Sequence, residues 1–183
     1  YVAVTAPTGS AAQLLGGQTT HSWAGIGQAK GSVEDLVRMV RGDAAACHRW
    51  TATALLIVDE VSMVSGRLLD VLDAVGRSVR GCPGQAFGGL QVLLCGDFHQ
   101  LPPPGKDVDG WAFEAKVWGE AFGLCLELTQ VLRLRSLGEA PLAEALEQVR
   151  AGKVHSEAWS LLQRLSKRPR EPDRLPAEIV PTN

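Results

Sequence analysis

Leu55-Leu56-Ile57-Val58-Asp59-Glu60 decides how this chain is read. The unbroken apolar run is strand-length, and a run apolar on both faces marks a buried strand of a parallel sheet. Ligands of open α/β sheets bind beyond the carboxyl ends of the strands, which puts Asp59 and Glu60 on that edge. In a nucleoside triphosphatase, an aspartate there holds Mg²⁺ directly or through water, and the next glutamate polarises the attacking water. The competing reading is a strand that simply ends in surface acids.

Working outward, the same signal recurs. Leu90 to Cys95 reads as a second buried strand ending in Gly96-Asp97, and Leu124 to Leu128 as a third ending in Thr129-Gln130. Tyr1 to Thr5 is a further strand, turning at Ala6-Pro7-Thr8-Gly9 into a short helix over Ser10 to Leu15. Between the strands, Val33, Leu36, Val37 and Val40 recur at helical spacing behind Ser32 as N-cap, with Glu34 and Asp35 in the first turn. Leu68, Leu69, Val71, Leu72, Val75 and Val79 do the same after Glu60. Strands alternating with helices predict an α/β parallel sheet covered on both faces. Beyond it, Leu142, Leu146 and Val149 mark one helix. Ala158, Leu161, Leu162 and Leu165 mark another, with Ser156 as its cap.

Two further segments can carry chemistry. Gly96-Asp97-Phe98-His99-Gln100-Leu101-Pro102-Pro103 follows a buried strand, and the Gln100 amide can meet a phosphate oxygen or orient a water without adding charge. Thr5-Ala6-Pro7-Thr8-Gly9-Ser10-Ala11-Ala12 offers hydroxyls and backbone N–H groups to a phosphate. A Gly-x-x-x-x-Gly-Lys-Ser/Thr loop does not occur. The chain opens inside a strand and ends at Ile179-Val180-Pro181-Thr182-Asn183, so truncation at both ends is expected; either this is not a P-loop protein, or the loop lies just upstream of Tyr1.

Composition narrows the classes. With 183 residues, 45% hydrophobic and 21% charged, the chain is a globular domain rather than a disordered one. A net charge of −2 excludes bulk electrostatic attraction to nucleic acid, so any such contact is local. The four cysteines, Cys47, Cys82, Cys95 and Cys125, lack metal or disulfide-scaffold spacing. No apolar run is long enough to span a membrane.

In order, these segments resemble the Pif (petite integration frequency) helicases, superfamily-one enzymes that move five-prime to three-prime on single-stranded DNA. The stretch Thr5 to Ala12 is similar to their motif Ia. Gly17 to Gly27, containing Thr20-His21-Ser22-Trp23, is similar to the segment that follows. Asp59 to Met63 is similar to motif II and Gly96 to Pro103 to motif III. Trp111 to Glu114, Trp118, Leu128 to Arg133, Leu146 to Gly152 and Val180 to Asn183 continue the likeness. The resemblance implies a RecA-like P-loop NTPase-type domain, ATP as substrate and Mg²⁺ as cofactor. Asp59 would hold Mg²⁺, Glu60 would activate water, Asp97 and Gln100 would contact nucleotide, and Arg133 would stabilise transferring charge. Arg135 competes with Arg133, because the family's Phe-Arg-Gln reads Leu132-Arg133-Leu134 here. Thr8, Gly9, Thr20 and His21 would face DNA, and the family match favours Trp23 too. His99 is assigned no role.

The expected organisation is a RecA-like domain over 1–135 lacking its phosphate-loop unit, a helical extension and linker over 136–172, and the start of a second RecA-like domain over 173–183. The implied whole is a monomeric, membrane-free DNA helicase acting on single-stranded or forked DNA in repair, recombination and telomere maintenance. The segment alone is expected to show no ATPase. Its rivals are a non-catalytic single-stranded-DNA-binding remnant, another superfamily-one motor and a nucleotide transferase. No compartment is implied.

Overall fold

The computed structural model describes residues 1–104, 110–130 and 140–167. The first compact unit, Tyr1–Leu126, holds a four-stranded sheet. Its strands are β1 (Val2–Ala6), β2 (Gln18–Thr19), β3 (Leu55–Val58) and β4 (Gln91–Leu94), in the order β2-β1-β3-β4, and every pairing is parallel. Register sets Thr5 beside Val58 and Val58 beside Leu94, so β1, β3 and β4 end level. Period-two alternation then sorts the faces. Ala3, Thr5, Leu56 and Val58 are buried, whereas Ile57 is half-buried and Leu93 is 48% exposed.

The helices of this unit are α1 (Gly9–Leu14), α2 (Thr20–Ala24), α3 (Val33–Arg41), α4 (Ala44–Ala52), α5 (Gly66–Val79) and α6 (Trp118–Ala121). Ser32 caps α3 as the sequence predicts, its hydroxyl accepting from the Asp35 N–H at 3.1 Å. Leu69, Leu72 and Val75 of α5 join Leu36, Val40, Leu56, Val58 and Trp50 in the core. Each such fully buried side chain contributes about 1.5–3 kcal/mol. A tight crossing fixes the entry to β4. A Cβ on Gly76 of α5 would stand 2.6 Å from the Phe87 carbonyl, while the Asp73 carboxylate accepts the Phe87 N–H at 2.6 Å.

Three expectations are corrected. The segment 124–128 is not a strand: Leu124, Leu126 and Leu128 are 79%, 80% and 96% exposed, and no neighbouring strand among the described residues pairs with them. A strand needs such a neighbour for its backbone hydrogen bonds. Trp23 is core, fully buried and packed on Trp50 with ring centroids 4.5 Å apart. The N-cap of the last helix is His155, not Ser156, and it makes no side-chain cap bond.

The second compact unit, residues 127–183, contains α7 (Ala140–Arg150) and α8 (Ser156–Ser166), the two helices read from the apolar spacing. The first unit closes at Leu126, ahead of the boundary expected at 135. Position 135 and the segment 173–183 lie outside the described residues, as do Arg168 to Arg170. Among the described residues no helix is long and apolar enough to cross a membrane.

Candidate nucleotide and nucleic-acid edge

All four strands are parallel, so everything that follows a strand lies on one edge. Beyond β3 come Asp59 and Glu60, beyond β4 the loop Gly96 to Gln100, beyond β1 Thr8 and Gly9, and beyond β2 Thr20 and His21. The two strand ends that carry the acids and Gln100 are adjacent and are laced together by backbone bonds. The Cys95 N–H donates to the Val58 carbonyl, and the Val61 N–H donates to the Cys95 carbonyl, both at 2.9 Å.

Glu60 adopts the left-handed conformation, φ 53° and ψ 46°. That costs a residue with a Cβ roughly 1–2 kcal/mol, and such strain gathers at functional sites. The turn is held from both sides. The Met63 N–H returns to the Glu60 carbonyl at 3.0 Å, and Gly96 lies against Val61 so closely that a Cβ there would be 2.8 Å from the Val61 nitrogen. Asp59 and Glu60 are half-buried, and among the described residues no hydrogen bond or ion pair engages either carboxylate. Asp59 does act on Cys95. Burial pushes the Cys95 thiol up, and the Asp59 charge pushes it further.

The loop after β4 is a stiff turn. The Gln100 N–H donates to the Asp97 carbonyl at 2.9 Å, and the Asp97 carboxylate accepts the His99 N–H at 3.0 Å with His99 Nδ1 3.3 Å away. Gln100 itself is exposed. Between them, Phe98 turns inward onto the rings of Trp111, Phe113 and Trp118, at centroid distances of 6.1, 4.9 and 6.3 Å. The segment Trp111 to Trp118, read from the sequence only as part of a resemblance, therefore anchors the loop that presents Gln100. Phe98 was missed because one aromatic in a polar turn has no period to reveal its partner.

On the β1 side, the Thr8 hydroxyl caps α1 by accepting the Ala11 N–H at 3.3 Å and lies 3.3 Å from the Ser10 hydroxyl. A Cβ on Gly9 would meet nothing within 4 Å, so the backbone beside it is open to a ligand. Burial lowers the pKa of His21, leaving it a neutral donor or acceptor near pH 7. Thr20 departs from expectation. It is 0% exposed and its hydroxyl bonds to that of Thr5 at 3.2 Å, so contact between the Thr20 side chain and a phosphate is withdrawn. Arg133 and Arg135 lie outside the described residues. The charged groove between α5 and the segment 114–120 is internally paired, Arg77 bridging Asp73 and Glu120 at 2.8 and 2.7 Å.

An open parallel sheet with two acids and a polar loop on adjacent strand ends defines a domain of the RecA-like α/β class. The family model for PIF1-like helicase matches residues 1–159, and the chain belongs to that family. The ATP-dependent DNA helicase PIF1 of Saccharomyces cerevisiae is 40% identical over 99% of this chain and 21% of its own length. The human protein of that name is 37% identical over 87% of this chain and 24% of its own. The crystal structure of Pif1 helicase from Candida albicans superposes with a TM-score of 0.87 at 38% identity, over 94% of this chain and 39% of that one. Bacteroides Pif1 in complex with ADP-AlF3 and ssDNA gives 0.78 at 29% identity, over 94% and 42%. The chain thus spans about a fifth of the length of the yeast relative.

Proposed function

We propose that this chain carries the water-activating and phosphate-sensing half of an ATP-dependent DNA helicase that moves five-prime to three-prime on single-stranded or forked DNA. The observation that carries the reading is the lacing of β3 to β4. It fixes Asp59, Glu60, Asp97 and Gln100 on adjacent strand ends, with the Asp59 and Glu60 carboxylates unengaged among the described residues. Mg²⁺ fits this edge, because it keeps several waters and phosphate oxygens and asks one or two carboxylates of the protein. Asp59, half-buried and met by no donor among the described residues, is the residue to hold it. When bound, the ion neutralises charge on the transferring phosphate.

The chain's own residues do the rest. Glu60, on its left-handed turn, orients a water and accepts its proton as general base. Gln100, on a turn pinned by Phe98, meets the terminal phosphate and changes partner when that phosphate leaves; Asp97 supports the turn. Arg133 supplies positive charge to the transferring group. Thr8, Gly9 and His21 contact the DNA backbone through hydroxyl, amide and neutral imidazole, which positions the strand without reading its bases. Intact Asp59, Glu60 and Gln100 weigh against a non-catalytic remnant. Repair and recombination are the settings in which such a motor serves.

The test is ATP hydrolysis by the full-length protein with and without oligo(dT), followed by strand displacement on duplexes with a five-prime or a three-prime tail. The reading expects DNA-stimulated hydrolysis and displacement from the five-prime tail alone. Hydrolysis indifferent to DNA, or displacement from the three-prime tail alone, contradicts it.

A further inference from the structure

Thr5 and Thr20 take no part in the chemistry above, yet both are 0% exposed and joined in one chain of hydroxyls. Thr5 Oγ1 donates to the Ile57 carbonyl at 2.9 Å. A hydroxyl has one proton, and a carbonyl only accepts, so the proton of Thr5 is committed. The 3.2 Å contact between the two hydroxyls is therefore donated by Thr20. The relay runs in one direction, from Thr20 through Thr5 to Ile57.

Thr5 also grips β3 through its main chain, its carbonyl accepting the Asp59 N–H at 2.9 Å. One residue of β1 thus holds β3 at Ile57 and at Asp59, directly before the acidic pair. At the other end, Thr20 opens α2 beside His21. The β1–β2 ladder that ties this end to the sheet is short, pairing Thr5 with Gln18 and Ala6 with Thr19. The hydroxyl relay is the added tie. Parting the two hydroxyls by about 1 Å breaks the bond and leaves a buried group unpaired. The relay therefore favours joint movement of the start of α2 and the end of β3.

We propose that Thr20 and Thr5 are positioning residues that link occupancy of the DNA-facing end of α2 to the setting of Asp59 and Glu60. The link rests on the reading above that His21 and its neighbours face DNA. Thr20 acts through Thr5 and touches neither DNA nor nucleotide with its side chain.

The decisive readout is the stimulation factor, the ratio of ATP turnover with saturating oligo(dT) to turnover without it, in the full-length protein. Thr20→Val removes the donor while keeping the shape, and is expected to lower the factor about fivefold or more, the usual lower range of coupling between sites. Thr20→Ser keeps the hydroxyl and is expected to restore it. A merely structural role lowers both rates in proportion and leaves the factor unchanged, which overturns the inference. Hydrogen exchange at the Asp59 amide of the unsubstituted protein tests the same link without a variant. The amide, bonded to Thr5, is expected to change its exchange rate on addition of oligo(dT), and an unchanged rate contradicts the relay. An unsubstituted protein whose hydrolysis ignores DNA instead sinks the functional reading itself.

Discussion

Gly96 is where the two halves of the site meet. Its φ of +147° is one that residues with a side chain rarely adopt, and an added Cβ would lie 2.8 Å from the Val61 nitrogen, 3.1 Å from Val61 Cγ1 and 3.4 Å from the Glu60 carbonyl carbon. Gly96→Ala therefore adds backbone strain of about 1–3 kcal/mol to a steric overlap of about 1–3 kcal/mol. The stiffer unfolded chain offsets this by about 0.4–1 kcal/mol. The net loss is about 1–5.5 kcal/mol, roughly fivefold to ten-thousand-fold in the ratio of folded to unfolded protein. Gly119 in α6 is the matched control, since a Cβ there meets nothing within 4 Å and its φ is ordinary. Gly119→Ala is expected to be neutral or stabilising by up to about 1 kcal/mol. Urea titration followed by fluorescence reads both variants. Equal midpoints for Gly96→Ala and Gly119→Ala would refute the claim that the Gly96 contact holds the Glu60 turn.

Phe98→Ala removes the half-buried ring that pins the Gln100 loop and is expected to cost about 1–3 kcal/mol and to reduce kcat more than it raises KM for ATP, while Phe98→Leu recovers part of each; a kinetic comparison at matched folding decides. His21 has a folded pKa lowered by burial, so the unfolded chain binds its proton first. The unsubstituted protein should lose stability relative to His21→Gln as pH falls below about 6.5, with no difference in trend above it; parallel stability curves from pH 8 to 5 would contradict the burial of the ring. Cys95, held protonated by burial and by Asp59, should be alkylated more slowly than the exposed Cys82 and Cys125, and Asp59→Asn should quicken Cys95. No change in that rate on substitution would remove Asp59 from beside the thiol.

The apolar runs at Leu55 to Val58 and Leu90 to Cys95 were legible because they are uninterrupted, although only the face carrying Leu56 and Val58 is fully buried while Ile57 is half-buried and Leu93 is 48% exposed; the acids and Gln100 follow from where those runs stop. The helix α3 was legible from its cap and its period. The helix α4 was not, because Ala44-Ala45-Ala46 carries no apolar contrast and only Ala46 and Trp50 are buried in it. The run Leu124 to Leu128 reads like the other strands, but a strand is a relation between two segments, and the sequence does not display the neighbour. Thr20 and Trp23 misled for a related reason. Ser22 between them is exposed and His21 half-buried, whereas the Thr5 hydroxyl and the Trp50 ring draw Thr20 and Trp23 inward, through contacts between residues distant in sequence.

The central claim is that Glu60 activates water on the edge shared by β3 and β4. Glu60→Gln keeps the size of the side chain and the turn while removing the base. Single-turnover hydrolysis of ATP in the presence of oligo(dT), with nucleotide affinity measured alongside, separates chemistry from binding. The account predicts a fall of about 10²–10⁴-fold in the hydrolysis rate with ATP affinity within a few-fold of the unsubstituted protein; hydrolysis at the unsubstituted rate would contradict it.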